Sequence, residues 1–145
     1  MKNWILALLL LLSFSASANS FFPLTLYDLN GQCGSNVQIE LGNLGGSTPA
    51  LTNIFGTREI IIMDANFVMT ASPSAVWFVF FHECGHRTYH HSPTFNPPDA
   101  EDVADCYAAR RFVNTFGYAK LEPTLEELEP MTGKTRAHQI LECVD

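Results

Sequence analysis

Positive charge is scarce in this chain. Eight lysines and arginines stand against fifteen aspartates and glutamates, giving 145 residues a formal net charge of −7 at pH 7. So acidic a balance argues against binding nucleic acid or an anionic membrane surface, both of which need basic patches. Repeats and low-complexity tracts are absent, which excludes solenoids and fibrous arrays. Long apolar runs are missing too: the stretch Trp4 to Leu12 falls short of the roughly 20 residues a spanning helix needs. No cysteine sits at its end, so a lipid anchor is not expected.

What surrounds that stretch is informative. Met1-Lys2-Asn3 precede it and Ala16-Ser17-Ala18 follow, the pattern of a signal peptide with a small-residue cleavage site. Residues 1–18 are therefore expected to be removed, and residues 19–145 to form a single exported domain, periplasmic or secreted, with no stable membrane anchor. Lys2 is the only charge lost, which takes the formal charge to −8. Four cysteines survive, and an even count in an exported chain suggests up to two disulfides. Three pairings are open. Cys106 with Cys143 would tie down the tail and Cys33 with Cys84 would fix the N-terminal segment, so that pairing is preferred.

The elements read as α+β. Residues 19–57 carry several glycines and polar residues and read as short strands or irregular chain joined by turns. Arg58 to Met63, with Ile60-Ile61-Ile62, reads as a buried or edge strand ending at Asp64-Ala65-Asn66. Ser72-Pro73 starts a helix, Ser72 as N-cap and Pro73 at its first position, running through Ser74 to His90. Trp77, Phe78, Phe80 and Phe81 make this helix apolar almost all round, hence buried. A second helix is expected from Asn96-Pro97 to about Phe116, with Phe112 and Phe116 in the core and Gly117 as its stop. Leu121 to Glu129 is a short acidic amphipathic stretch, and Lys134 to Val144 a last helix.

Chemistry concentrates in two motifs. His82-Glu83-Cys84-Gly85-His86 places two histidines four apart, about 40° around a helix, so both imidazoles can face one metal ion. Fifteen positions after His86 comes Glu101-Asp102-Val103-Ala104-Asp105. Glu101 can supply a third ligand, leaving a fourth position for water. Asp105, on the same helical face as Glu101, can accept the outward N–H of a ligating histidine. Cys84 lies about 200° from His82 and faces away from the metal. Acids at a helix N-terminus commonly serve the helix dipole alone, which would account for Asp99, Glu101 and Asp102 but not for Asp105 one turn on. His90 and His91 read as C-terminal imidazoles suited to that dipole, and Arg110-Arg111 as a solvated face pairing with nearby acids.

Together HECGH and EDVAD resemble the gluzincin zinc metallopeptidases, whose pattern is HExxH followed on a second helix by ExxxD. The likeness is greatest to the branch with ExxAD that includes the CAAX prenyl proteases and their soluble relatives. It covers about residues 58–117, with a shorter spacing between His86 and Glu101 than that clan shows. The resemblance implies a small zincin-like domain with one Zn²⁺ per chain held by His82, His86 and Glu101, Glu83 as catalytic base and Asp105 as partner to a ligating histidine. It also implies that the strand before the metal helix, Arg58 to Met63, takes up substrate as an added strand.

Residue chemistry leads to the same expectation. Zinc on two imidazoles and a carboxylate lowers the pKa of its water towards about 7 and polarises a scissile carbonyl. Glu83 then takes the water's proton and passes it to the leaving amine. Tyr89, His90, His91, Arg136 and His138 are candidates for the oxyanion donor. The expected function is peptide-bond hydrolysis on a peptide or protein substrate. The competing reading is a non-catalytic zinc-containing module that binds a peptide or protein, against which the intact Glu83 speaks. A third, a disulfide-stapled domain with a chance HExxH, is disfavoured by EDVAD.

Overall fold

In the computed structural model, residues 29, 31–34, 36–46, 48–55, 58–90 and 96–145 are described. The expected signal peptide and His91 lie outside them. The fold is α+β: strands β1 (Val37–Gly42), β2 (Ala50–Phe55) and β3 (Arg58–Asp64), then helices α1 (Ala65–Thr70), α2 (Pro73–Thr88), α3 (Ala100–Phe116), α4 (Leu121–Thr132) and α5 (Lys134–Glu142). A 3₁₀ turn at Tyr118–Lys120 leads into α4. No helix among the described residues is long and apolar enough to cross a membrane.

The isoleucine run forms the centre of the sheet, not its edge. β3 pairs in parallel with β1 and antiparallel with β2, giving the order β1-β3-β2. Ile61 and Met63 are fully buried, as a strand flanked on both sides requires. The expectation that Arg58 to Met63 offers an edge to substrate is thus overturned, because both of its sides are already occupied. β3 ends where Asp64 caps α1, a helix the sequence reading did not anticipate. The Asp64 carboxylate accepts the N–H of Phe67 at 3.0 Å and of Leu44 at 2.8 Å, which holds its pKa below the usual aspartate value.

α2 runs through the core as expected. Ser72 caps it by accepting the Ala75 N–H at 3.2 Å, and Pro73 fills the first turn. Its Val76, Phe80 and Phe81 are buried against the sheet and the other helices. α3 packs along it through Ala100, Ala104 and Ala108, alanines spaced at i, i+4 on one face, all buried. Gly85 permits the close approach: a Cβ there would sit 2.8 Å from the Cα of Ala104. The start of α3 differs from expectation: Ala100 opens it, with Asp99 at the cap, while Pro97 and Pro98 precede it. Gly117 stops it at a φ of 87°.

Leu121, Leu125 and Leu128 bury the inner face of α4, which extends to Thr132, beyond the expected Glu129. Gly133, at a φ of 82° unfavourable to residues with a Cβ, turns the chain into α5. Disulfides join Cys33 to Cys84 and Cys106 to Cys143, with Cα atoms 5.4 and 5.1 Å apart, the pairing preferred from sequence. Two disulfides fit an oxidising compartment. Among the described residues, Arg110 and Arg111 form no ion pair with an acid. Arg110 donates to the carbonyl of Cys143 and Arg111 to that of Gln32, with the Arg111 guanidinium 5.5 Å above the Phe81 ring.

Candidate metal centre

The last two turns of α2 and the first two of α3 bring five polar side chains to one cleft of about 720 Å³. His82 and His86 face each other, Nε2 to Nε2, at 3.0 Å. Glu101 reaches both, with one oxygen 3.4 Å from His82 Nε2 and the other 3.2 Å from His86 Nε2. One ligand atom from each residue thus falls within a 4.8 Å cluster, a group able to hold a metal ion. Tetrahedral zinc with bonds of about 2.0–2.1 Å places its ligand atoms roughly 3.3–3.4 Å apart. The two imidazole nitrogens and the nearer Glu101 oxygen of each are separated by distances of this order, though the histidines meet different oxygens of Glu101, and the donor set of two imidazoles and one carboxylate suits zinc chemically.

Asp105 determines which nitrogen of His82 faces the cluster. Its carboxylate lies 2.7 Å from His82 Nδ1 and so keeps the proton there, leaving Nε2 to the cleft. Arg136, from α5, secures the acids in turn. Its Nε donates to Asp105 Oδ2 at 2.6 Å, and its Nη2 to Asp105 Oδ1 at 3.0 Å and Glu101 Oε2 at 2.9 Å. Burial opposes ionisation of Asp105, yet the hydrogen bonds from His82 and Arg136 prevail and lower its pKa. Glu101 is lowered chiefly by hydrogen bonds from His82 and His86. Burial disfavours a charged His82, but Asp105 and Glu101 outweigh it and push the imidazole up to about 9. Arg136 is raised by its bond to Asp105.

No protein-family model, curated protein or solved structure matches this chain. The site is therefore read on its own geometry.

Glu83 belongs to the same cleft but not to the three-residue cluster. It is 6% exposed, and its Oε2 accepts a hydrogen bond from Thr52 Oγ1, on β2, at 2.7 Å. Thr52 was invisible to sequence reasoning, since a lone threonine in a short strand carries no motif. Arg136, an oxyanion candidate from the sequence, lines the cleft with its guanidinium bonded to Asp105 and Glu101. The other described candidates lie outside the cleft lining. Tyr89 packs edge-on to Tyr107, His90 turns the chain at a φ of 58°, and exposed His138 lies 3.6 Å from Glu142. Cys84, as expected, serves a disulfide and no metal. The wall opposite α2 and α3 comes from β2, through Ala50, Leu51 and Thr52, and from the end of α4, through Leu128, Pro130 and Met131.

Proposed function

We propose that this protein is an exported zinc-dependent peptidase of the gluzincin type, with His82, His86 and Glu101 as zinc ligands and Glu83 as general base. One observation carries the reading: three donors clustered within 4.8 Å of one another share a cleft with a buried carboxylate, Glu83, that is not among them. A purely structural zinc site is closed by four protein ligands and has no use for such a neighbour.

When bound, zinc supplies a Lewis acid that polarises a carbonyl and makes water acidic enough to react near neutral pH. The remaining work belongs to the chain. Glu83 takes a proton from the attacking water and delivers it to the departing amine. Asp105 orients His82, and Arg136 keeps Asp105 ionised and holds both Asp105 and Glu101 in place. The cleft is walled by β2, which has no strand partner on its outer side among the described residues. A substrate peptide in extended form fits there as an added strand, satisfying backbone groups left open at that edge. The role first expected of Arg58 to Met63 thereby passes to Ala50–Phe55.

Zinc content and cleavage of an unfolded protein such as casein, measured for wild type and Glu83→Gln, test the proposal. One equivalent of zinc in both is expected, with kcat lower by about 10²- to 10⁴-fold in the variant. Zinc in both proteins with cleavage in neither would favour a zinc-containing peptide-binding module. No zinc in either would overturn the ligand assignment.

A further inference from the structure

The hydroxyl of Thr52 makes two contacts with a single residue of another element. Its Oγ1 lies 2.7 Å from Glu83 Oε2 and 3.1 Å from the backbone carbonyl oxygen of Glu83. A hydroxyl has one hydrogen to donate, so the two acceptors compete for it. An ionised carboxylate wins, because a charged acceptor binds roughly twice as strongly as a neutral one. The hydrogen therefore lies on Oε2 while Glu83 is a carboxylate. With Oε2 held, Oε1 is left to the cleft that Glu83 lines.

Thr52 is itself well anchored. It pairs across the sheet with Ile61, which is fully buried in the central strand. Its branched Cβ restricts its χ1, so the hydroxyl direction is set by the strand. Strand and helix thus grip Glu83 from both ends of its side chain: α2 carries the backbone, β2 the carboxylate tip.

We infer that Thr52 is a positioning residue for Glu83, holding the carboxylate in one orientation with Oε1 towards the cleft. The inference rests on the peptidase reading above. With one oxygen held by β2, the carboxylate meets the attacking water without first searching for its rotamer.

Two substitutions separate positioning from mere attachment of β2 to α2. Thr52→Val keeps the branched shape and removes the donor; Thr52→Ser keeps the donor and removes a methyl. Steady-state hydrolysis of one peptide substrate, zinc content and melting temperature are measured for wild type, both variants and Glu83→Gln. The expected result is a kcat lower by about 10- to 100-fold in Thr52→Val, the scale of a small misplacement of a reacting group. KM and zinc content stay at wild-type values, and Thr52→Ser recovers most of the rate. A wild-type kcat in Thr52→Val, with Glu83→Gln inactive, would overturn the inference and leave the peptidase reading standing. Loss of zinc or of folding in Thr52→Val, without rescue by serine, would also overturn it, assigning the bond to helix attachment. No hydrolysis by the wild type would sink the peptidase reading and the inference together.

Discussion

In the proposed zinc site, His82 is the residue on which protons and metal compete. With its pKa raised from an ordinary 6.5 to about 9, the stability it lends the metal-free protein is complete below about 6.5 and is lost as pH climbs through about 9. Asp105 and Glu101, both lowered, contribute in the opposite sense, their share present above the usual carboxylate range and lost in acid. Metal-free protein should therefore be most stable to denaturant between about pH 4.5 and 6.5, as equilibrium unfolding at a series of pH values would reveal. Zinc must displace the His82 proton, so its affinity should rise by roughly tenfold per pH unit between about 6.5 and 9, with proton release in calorimetry. A flat profile would contradict the protonated imidazole. Asp105→Ala should cost about 10- to 100-fold in zinc affinity, the usual penalty for losing the partner of a ligating histidine. The five polar positions of HECGH and EDVAD were legible because helical periodicity converts spacing into a shared face. Thr52 and Arg136 were not, since each meets its partner across 31 positions of chain.

At the scale of elements, the site depends on how closely α2 and α3 approach. Ala104 and Gly85 form that contact, and the obstacle to a Cβ at Gly85 is backbone, which cannot swing aside as a side-chain tip would. Gly85→Ala gains helix propensity of roughly 1 kcal/mol but overpacks the interface at a cost of about 1–3 kcal/mol. A net loss in stability is expected by denaturant titration. Weaker zinc binding should accompany it, because separating the helices also moves Glu101 away from His82 and His86. The start of α2 was readable from Ser72-Pro73, and the end of α3 from Gly117, because caps and breakers act within a few residues, whereas α2 stops at Thr88, two residues short of the expected His90. Sheet order was not. An isoleucine run states that a strand is buried, yet whether it is central or peripheral depends on partners supplied from residues 37–42 and 50–55.

The whole molecule is tied by two disulfides that touch both site-bearing helices on the sides away from the metal cluster. Cys84 joins α2 to the N-terminal segment, and Cys106 joins α3 to the end of α5, the helix that carries Arg136. Cys33 and Cys84 are 7% and 1% exposed, whereas Cys106 and Cys143 are only partly buried. A mild reductant under native conditions should therefore open Cys106–Cys143 first, as alkylation and mass spectrometry would detect. Losing either bond should cost about 2–5 kcal/mol of stability. Opening Cys106–Cys143 should also weaken zinc retention, since Arg136 loses the covalent anchor of its helix.

Sequence by itself determined the local matters: α+β content, the helix that carries HECGH, the face shared by His82 and His86 and the acidic, disulfide-permissive character of the chain. These follow from periodicity, capping chemistry and residue type, each of which acts over one or two helical turns. Tertiary structure decided which strand faces the cleft, what holds the Glu83 carboxylate and where Arg136 spends its charge. Those depend on contacts between segments distant in the chain, selected by how the sheet, α2 and α3 bury their apolar faces together, and no local pattern encodes that packing.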